Sequence, residues 1–455
     1  MLFNSWVFII FFFQAFIFGF WILKNKISRY IWIIIFSLVF YAFWNLYYAS
    51  ILVISVVVSY IFGLAIGRYS RLPILWLAIF FHLGLLFYFK YFNFINEIVN
   101  NIVGGNSDPI NVILPLGISF YTFHIISYYV DIHLKRIQSV KNFLKYATYL
   151  VFFPQLIAGP ISRYSEVKDD YESIDKKIQP DFIKQGLFLF IIGLSKKVII
   201  ADMLGRVVDI YYSQFSSTDS LTLLFVVFAY GVQLYFDFSG YSDMALGLAL
   251  MAGVKLPINF NSPFKAKNIP EFWNRWNMTL SKFITVYVFI PLSDVLPRNI
   301  WGIFFNLIFV FLLWGIWHGA GWNFIVFGLI HGILSIIYHA TKRYYSLLPG
   351  LVQTFITFTA VIFSFIFFRS PNLVTAFAII GRIATVNGVF SISPYIANLL
   401  FFLILGLVII FFLPFNSNSF KLPQKPIFFI ILGALFFIAC IFMGTGEEIF
   451  LYYQF

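Results

Sequence analysis

Long apolar runs, separated by short polar segments, recur along the whole chain: Trp6 to Leu23, Tyr30 to Trp44, Ile51 to Ile66, Leu72 to Phe89, Ile303 to Trp317, Asn323 to Tyr338, Phe355 to Phe368, Ile396 to Leu413 and Ile427 to Met443. A helix crossing a bilayer needs about 20 apolar residues. Several runs are shorter, and interfacial Tyr and Trp extend them. Backbone groups left unpaired in lipid are too costly, so such runs form helices or a closed barrel. The alternating pattern of barrel strands is absent. The pattern predicts an all-α polytopic membrane protein with about a dozen membrane segments. No polar linker sets off a soluble part and no repeat of the transporter kind is visible, so 1–455 reads as a single domain.

Some runs carry interruptions. Ile110 to Val130 holds Pro115, Gly117, Ser119, Thr122 and His124, and Leu150 to Arg163 holds Pro154, Gln155, Gly159 and Pro160. Broken helices at membrane depth are tolerated where protein or a cavity satisfies the freed backbone groups. The second of these reads as a re-entrant or interfacial segment. Tyr164 to Lys184 is the most polar stretch and reads as a cytoplasmic amphipathic element. Gly186 to Met203 reads as a span whose Lys196 and Lys197 snorkel to an interface. Leu221 to Leu250 reads as two apolar pieces broken at Gly240, with Asp237 and Asp243 beside the membrane. Lys255 to Arg298 reads as a long semi-polar region with Pro257, Pro263, Pro270 and Pro291 and the segment FWNRWNMTLS, Phe272 to Ser281.

Composition sharpens the class. Only 11% of residues are charged while 61% are hydrophobic, against roughly a quarter charged in soluble domains. The net charge of +12 lies mostly in short loops, which points to membrane orientation and not to nucleic acid. Lys24, Lys26 and Arg29, then Arg68 and Arg71, then Lys135, Arg136, Lys141 and Lys145 alternate with basic-poor loops. This places the N-terminus outside the cytoplasm. The first apolar run lacks a basic lead and a small-residue cleavage site, so it reads as a span and not as a removable signal. The single cysteine, Cys440, lies in an apolar run and reads as packing.

The chemistry concentrates in Trp314 to Gly332, WGIWHGAGWNFIVFGLIHG. His318 follows an apolar run and precedes Gly319, Ala320 and Gly321. An ionisable residue at membrane depth is a functional-site hypothesis by default. As a general base, its neutral imidazole takes a proton from an incoming hydroxyl. The structural alternative is a histidine bonded to a backbone carbonyl at a helix break. His331 reads more readily as a packing residue facing the same cavity, and His82, His124, His133 and His339 as structural or interfacial. The spacings of His318, His331 and His339 miss the three or four residues that a helical metal pair requires, so no metal site is expected. There is no serine-hydrolase elbow, P-loop or dinucleotide fingerprint. Any CoA end of a donor must be met by basic and aromatic side chains.

These residues resemble the membrane-bound O-acyltransferase family, and within it the bacterial branch that O-acetylates alginate and peptidoglycan, with the teichoic acid D-alanine exporters as near relatives. The resemblance runs through LPLGISFYTFHIISYYVD (Leu114–Asp131), FFPQLIAGPISRY (Phe152–Tyr164), YFDFSGYSDMALGLALMAG (Tyr235–Gly253), INFNSPFKAKNIPEFWNRWNMTLS (Ile258–Ser281), IWHGAGWNFIVFGLIHG (Ile316–Gly332) and FSFIFFRS (Phe363–Ser370). It implies helices and re-entrant segments around a central tunnel in the bacterial cytoplasmic membrane. Acyl-CoA would enter from the cytoplasm as donor substrate, with no bound cofactor, and the acceptor would approach from outside.

The resemblance makes His318 the catalytic histidine of the W-H-G motif. The second site residue is Asn277, where the bacterial branch usually has histidine and some eukaryotic lipid-acylating members have asparagine. An amide is no base, but it can orient a substrate or polarise a thioester carbonyl. Lys282 to Val288 also departs from the aromatic-Arg-Asp run usual in relatives. Trp273, Arg275, Trp276, Asp237 and His331 are expected along the substrate tunnel. The ending Phe450 to Phe455 fits an F-x-Y-x-x-F pattern, in which Tyr452 would carry the acyl group to an extracytoplasmic acyltransferase partner. A phenol can be acylated and can leave; the plain alternative is an aromatic interfacial anchor. The expected activity is O-acetylation of a cell-envelope polysaccharide. Transport of a glycan or lipid precursor, and D-alanyl transfer to teichoic acid, are the competing readings.

Overall fold

Every regular element is a helix, as the apolar runs require, and no strand occurs among the described residues. The computed structural model describes residues 1–105, 108–110, 112–177, 179–413 and 425–444. Eight helices among them are long and apolar enough to cross a membrane: Leu46–Tyr69, Leu72–Val103, Ser220–Met251, Met278–Val295, Ile300–His318, Trp322–Tyr345, Gly350–Arg369 and Pro394–Phe412. Val7–Ile22, Leu373–Ala384 and Pro426–Phe442 are shorter apolar helices. By its contacts the chain forms two units, Met1–Ile191 with Tyr241–Ile258, and Ile192–Gly240 with Asn259–Phe455.

The first unit is built on aromatic packing. Phe153 sits among Phe12, Phe16 and Phe40, with ring centroids 5.4, 5.0 and 5.4 Å away. The prolines and glycine of 150–163 end helical pairing as expected: Phe143–Val151 stops and a single turn, Phe153–Leu156, follows. Gln155 then stands in for the lost backbone pairing. Its amide nitrogen donates to the Tyr149 carbonyl at 2.5 Å, and its oxygen accepts from Ser162 Oγ at 2.6 Å. Likewise the helix Ile118–His133 begins only after Pro115 and Gly117. Arg29, expected among the loop cations, is buried and donates to the carbonyls of Leu23, Ile174 and Lys176.

The structure corrects the sequence reading in several places. The helix from Leu72 continues to Val103, so the basic-poor segment after Asn93 is helical for its first half. Tyr164 to Lys184 is two elements: a helix Tyr164–Glu172, which buries Tyr164, Val167 and Tyr171, and the start of a second helix at Pro180. The semi-polar Lys255 to Arg298 contains a span-length helix, Met278–Val295. Pro291 does not break it, because this proline falls just after the wide π-type turn Thr285–Phe289, where regular pairing is already loosened.

Gly240 breaks nothing. Ser220–Met251 is a continuous helix of 32 residues. A Cβ at Gly240 would stand 2.7 Å from the Gly193 carbonyl oxygen, so the missing side chain serves close helix approach. That approach puts Asp237 against Lys197. Lys197 does not snorkel: its side chain is 3% exposed, and its ammonium contacts Asp237 and lies 2.8 Å from Asp202. A neighbouring carboxylate offsets the desolvation that snorkelling would otherwise avoid.

In the second unit the helices Ile300–His318 and Trp322–Tyr345 form a tight hairpin. A Cβ at Gly315 would lie 2.2 Å from the Phe324 carbonyl oxygen, and one at Gly328 would lie 2.3 Å from that of Phe311. Small residues facing each other let two membrane helices approach backbone to backbone. Gly328→Val is expected to pry the hairpin open, at about 3 kcal/mol, because the obstructing atoms are main chain. Thermal unfolding in detergent reads this out; an unchanged midpoint would show that the hairpin is not tight.

Candidate active site

The hairpin places His318. It is the last residue of its helix, and Gly319 and Gly321 continue in extended conformation before the next helix starts at Trp322. The chain doubles back there because Gly319 has no side chain: a Cβ would meet the Phe324 ring at 2.1 Å. Asn323 ties down the turn, its amide donating to the carbonyls of Phe367 at 3.2 Å and Ser370 at 2.9 Å. Asn323 was not singled out in the sequence, although an asparagine opening an apolar helix is a signal of that kind.

His318 is 4% exposed. Its ring stands edge-on to Phe327 at 5.8 Å and to Phe368 at 5.2 Å, with Trp317 at 5.1 Å. Phe327 in turn lies 4.7 Å from the His331 ring, 6.3 Å from Trp273 and 6.0 Å from Phe365. Phe365 lies 5.6 Å from Trp276. One aromatic cluster therefore joins His318, His331, Trp273 and Trp276. Spacing in the sequence could not show this, because the cluster draws on four helices.

The segment Phe272 to Ser281 is a short helix, Ile269–Trp273, followed by a tight turn into Met278–Ile284. Asn277 forms the turn in the left-handed region, φ 43° and ψ 54°, a conformation asparagine tolerates better than most residues. Ser281 Oγ clasps the turn, lying 2.7 Å from the Trp273 carbonyl oxygen and 3.2 Å from those of Trp276 and Asn277. The Asn277 side chain is 1% exposed, and neither end of its amide has a hydrogen-bond partner among the described residues. A buried amide without partners is costly and is a standing acceptor and donor for a group that reaches it.

The other predicted residues are placed differently. Arg275 pairs with Glu271 at 2.9 Å, and its guanidinium also donates to the Asn261 carbonyl at 3.2 Å. It stands at the partly exposed edge of the segment. Asp237 lies with Lys197 and Asp202 in the buried ionic cluster described above. Tyr452 lies outside the described residues. Next to the aromatic cluster is a cavity of about 260 Å³ lined by Trp273, Trp314, Ser281, Thr285, Ser335 and His339, among others. His339, which the sequence leaves as structural or interfacial, is one of its walls. Among the described residues no group of three or more His, Cys, Asp or Glu side chains gathers as a metal site.

This arrangement sits inside the stretch that matches a known family. The model of the membrane-bound O-acyltransferase family matches residues 131–372. A peptidoglycan O-acetyltransferase of Helicobacter pylori is 35% identical, over 86% of this chain and 81% of the relative. The chain belongs to the membrane-bound O-acyltransferase family. It is an acyltransferase. A probable alginate O-acetylase, AlgI, of Pseudomonas aeruginosa is 36% identical over 64% of this chain and 57% of its own length. A teichoic acid D-alanyltransferase of Bacillus subtilis is 32% identical over 42% of this chain and 49% of its own length. The family match covers His318, Asn277, His331 and the ionic cluster around Lys197 alike.

Proposed function

We propose that this acyltransferase moves an acetyl group from cytoplasmic acetyl-CoA outward, for O-acetylation of an extracytoplasmic cell-envelope polysaccharide, with peptidoglycan the first choice. The observation that carries the choice of polymer is the extent of likeness to the peptidoglycan O-acetyltransferase, which runs through most of both chains. Likeness to the alginate and teichoic acid enzymes covers less of each. The bacterial relatives support a bacterial cytoplasmic membrane, and the alternation of basic loops supports an N-terminus outside it.

In this reading His318 is the general base. The acceptor hydroxyl gives its proton to a ring nitrogen of His318, and its oxygen attacks the thioester carbonyl. The C–S bond breaks, and the departing CoA thiolate takes the proton back from the imidazolium. The Asn277 amide N–H polarises the thioester carbonyl, which is the use its partnerless burial supports. Trp273, Trp276 and Arg275 line the approach. Tyr452 is the first acceptor, and an extracytoplasmic acyltransferase partner takes the acetyl group from it to the glycan.

The test compares envelope glycans of cells with and without the chain by mass spectrometry, alongside CoA release from radiolabelled acetyl-CoA by the purified protein. The expected result is loss of acetyl esters from peptidoglycan. Loss of D-alanyl esters from teichoic acid, or of acetyl from an alginate-like polymer, would replace the choice of polymer. No acceptor-dependent CoA release would remove the donor. Tyr452→Phe is expected to abolish glycan acetylation while leaving the protein folded; unchanged acetylation would return the tail to membrane anchoring.

A further inference from the structure

His331 is 0% exposed and sits at the junction of three helices. Its hydrogen bonds fix its protonation by elimination. The Trp273 indole is only a donor, and its Nε1 lies 3.2 Å from His331 Nδ1. Nδ1 must therefore be bare, and the ring proton is on Nε2. Nε2 faces Ser364 Oγ at 2.9 Å. The single hydroxyl proton of Ser364 goes to the Val361 carbonyl at 2.6 Å, which leaves Oγ to accept from Nε2–H. The chain Trp273 to His331 to Ser364 to Val361 runs in one direction with every member satisfied.

We infer that His331 is a positioning residue held as the neutral Nε2–H tautomer, which fixes the Trp273 indole and through it the turn that carries Asn277. Adding a proton to Nδ1 would set two donors against each other, so His331 does not serve as base or acid while Trp273 is in place. The bond has a second consequence. Trp273 packs 4.3 Å from Trp314 on the wall of the 260 Å³ cavity. Its main-chain carbonyl is also one of the three that Ser281 Oγ holds around Asn277. Releasing the indole loosens both the cavity wall and the turn. This deepens the proposed acyl-transfer reading by separating the two histidines of the aromatic cluster into a base, His318, and a brace, His331.

Two measurements test it. In histidine-labelled protein, the ¹⁵N signals lost in His331→Asn should be those of a neutral Nε2–H ring that does not titrate between about pH 5 and 8. A Nδ1–H or titrating signal would overturn the assignment, whichever polymer is modified and whatever the donor. In kinetics, His331→Ala is expected to lower acyl transfer about a hundredfold by misplacing the wall. His331→Asn keeps an acceptor for the indole and is expected to recover to within about tenfold of the parent, with an unshifted pH–rate profile. Trp273→Phe in the His331→Ala background should add little, because both changes remove one coupled element. An Asn variant as slow as the Ala variant with a lost pH limb, or fully multiplicative losses with Trp273→Phe, would overturn the bracing role. Absence of any CoA release in the parent would instead count against the donor, leaving the tautomer result standing.

Discussion

His318→Ala is expected to lower acyl transfer by about a thousandfold, the middle of the range for losing a general base. The expectation rests on where the imidazole sits. It ends a membrane-length helix, is enclosed by Phe327, Phe368 and Trp317, and is followed by an extended glycine turn. The measurement is CoA release by the purified, monodisperse variant, with thermal unfolding beside it, because removing a packed ring also leaves a hole. His318→Gln fills more of that hole and should be nearly as slow. If either folded variant turns over at the parent rate, the base lies elsewhere and His318 is a packing residue at a helix break.

Asp237→Ala is expected to destabilise the protein by about 3–5 kcal/mol, since removing one member of a buried ion pair strands the other. Lys197, whose side chain is 3% exposed, would lose the carboxylate it contacts and keep its pairing with Asp202, whose side chain is 20% exposed. Asp237→Asn retains an oxygen for the ammonium and should cost less. Lys197→Met with Asp237→Leu should recover most of the loss, because well-packed apolar pairs often match buried ion pairs. Unfolding in detergent or denaturant measures all three. The same series tests the tunnel role suggested for Asp237. A variant of parental stability that has lost acyl transfer would place Asp237 at the substrate, whereas lost stability with intact turnover in the surviving fraction makes it a structural anchor.

The two expectations differ in how they became visible. His318 stands out along the chain because a histidine between apolar runs and a Gly-Ala-Gly turn is anomalous in one dimension. Asp237 looks similar in the sequence, an acid three residues before a glycine near the membrane, and that pattern predicts a helix break. Only the approach of Gly240 to the Gly193 carbonyl shows why the glycine is there and why Lys197 is the partner. Likewise, sequence spacing left His331 as a packing residue near the same cavity. The directions of its hydrogen bonds needed Trp273 and Ser364, respectively 58 and 33 positions away, to be brought to it.

The sequence by itself determined the helical membrane class, because lipid forbids unpaired backbone and long apolar runs leave no other solution. It determined the family, through motifs spread over most of the chain, and it singled out His318 and the Trp273–Asn277 segment. It could not determine the Met278–Val295 span, where polar and apolar residues are mixed and a π-type turn absorbs the irregularity. Tertiary structure alone decided the pairing of Lys197 with Asp237, the aromatic cluster that joins His318 to Trp273, and the clasped left-handed turn at Asn277. Each depends on which helix faces meet, and apolar runs in lipid carry little periodic signal for their buried face.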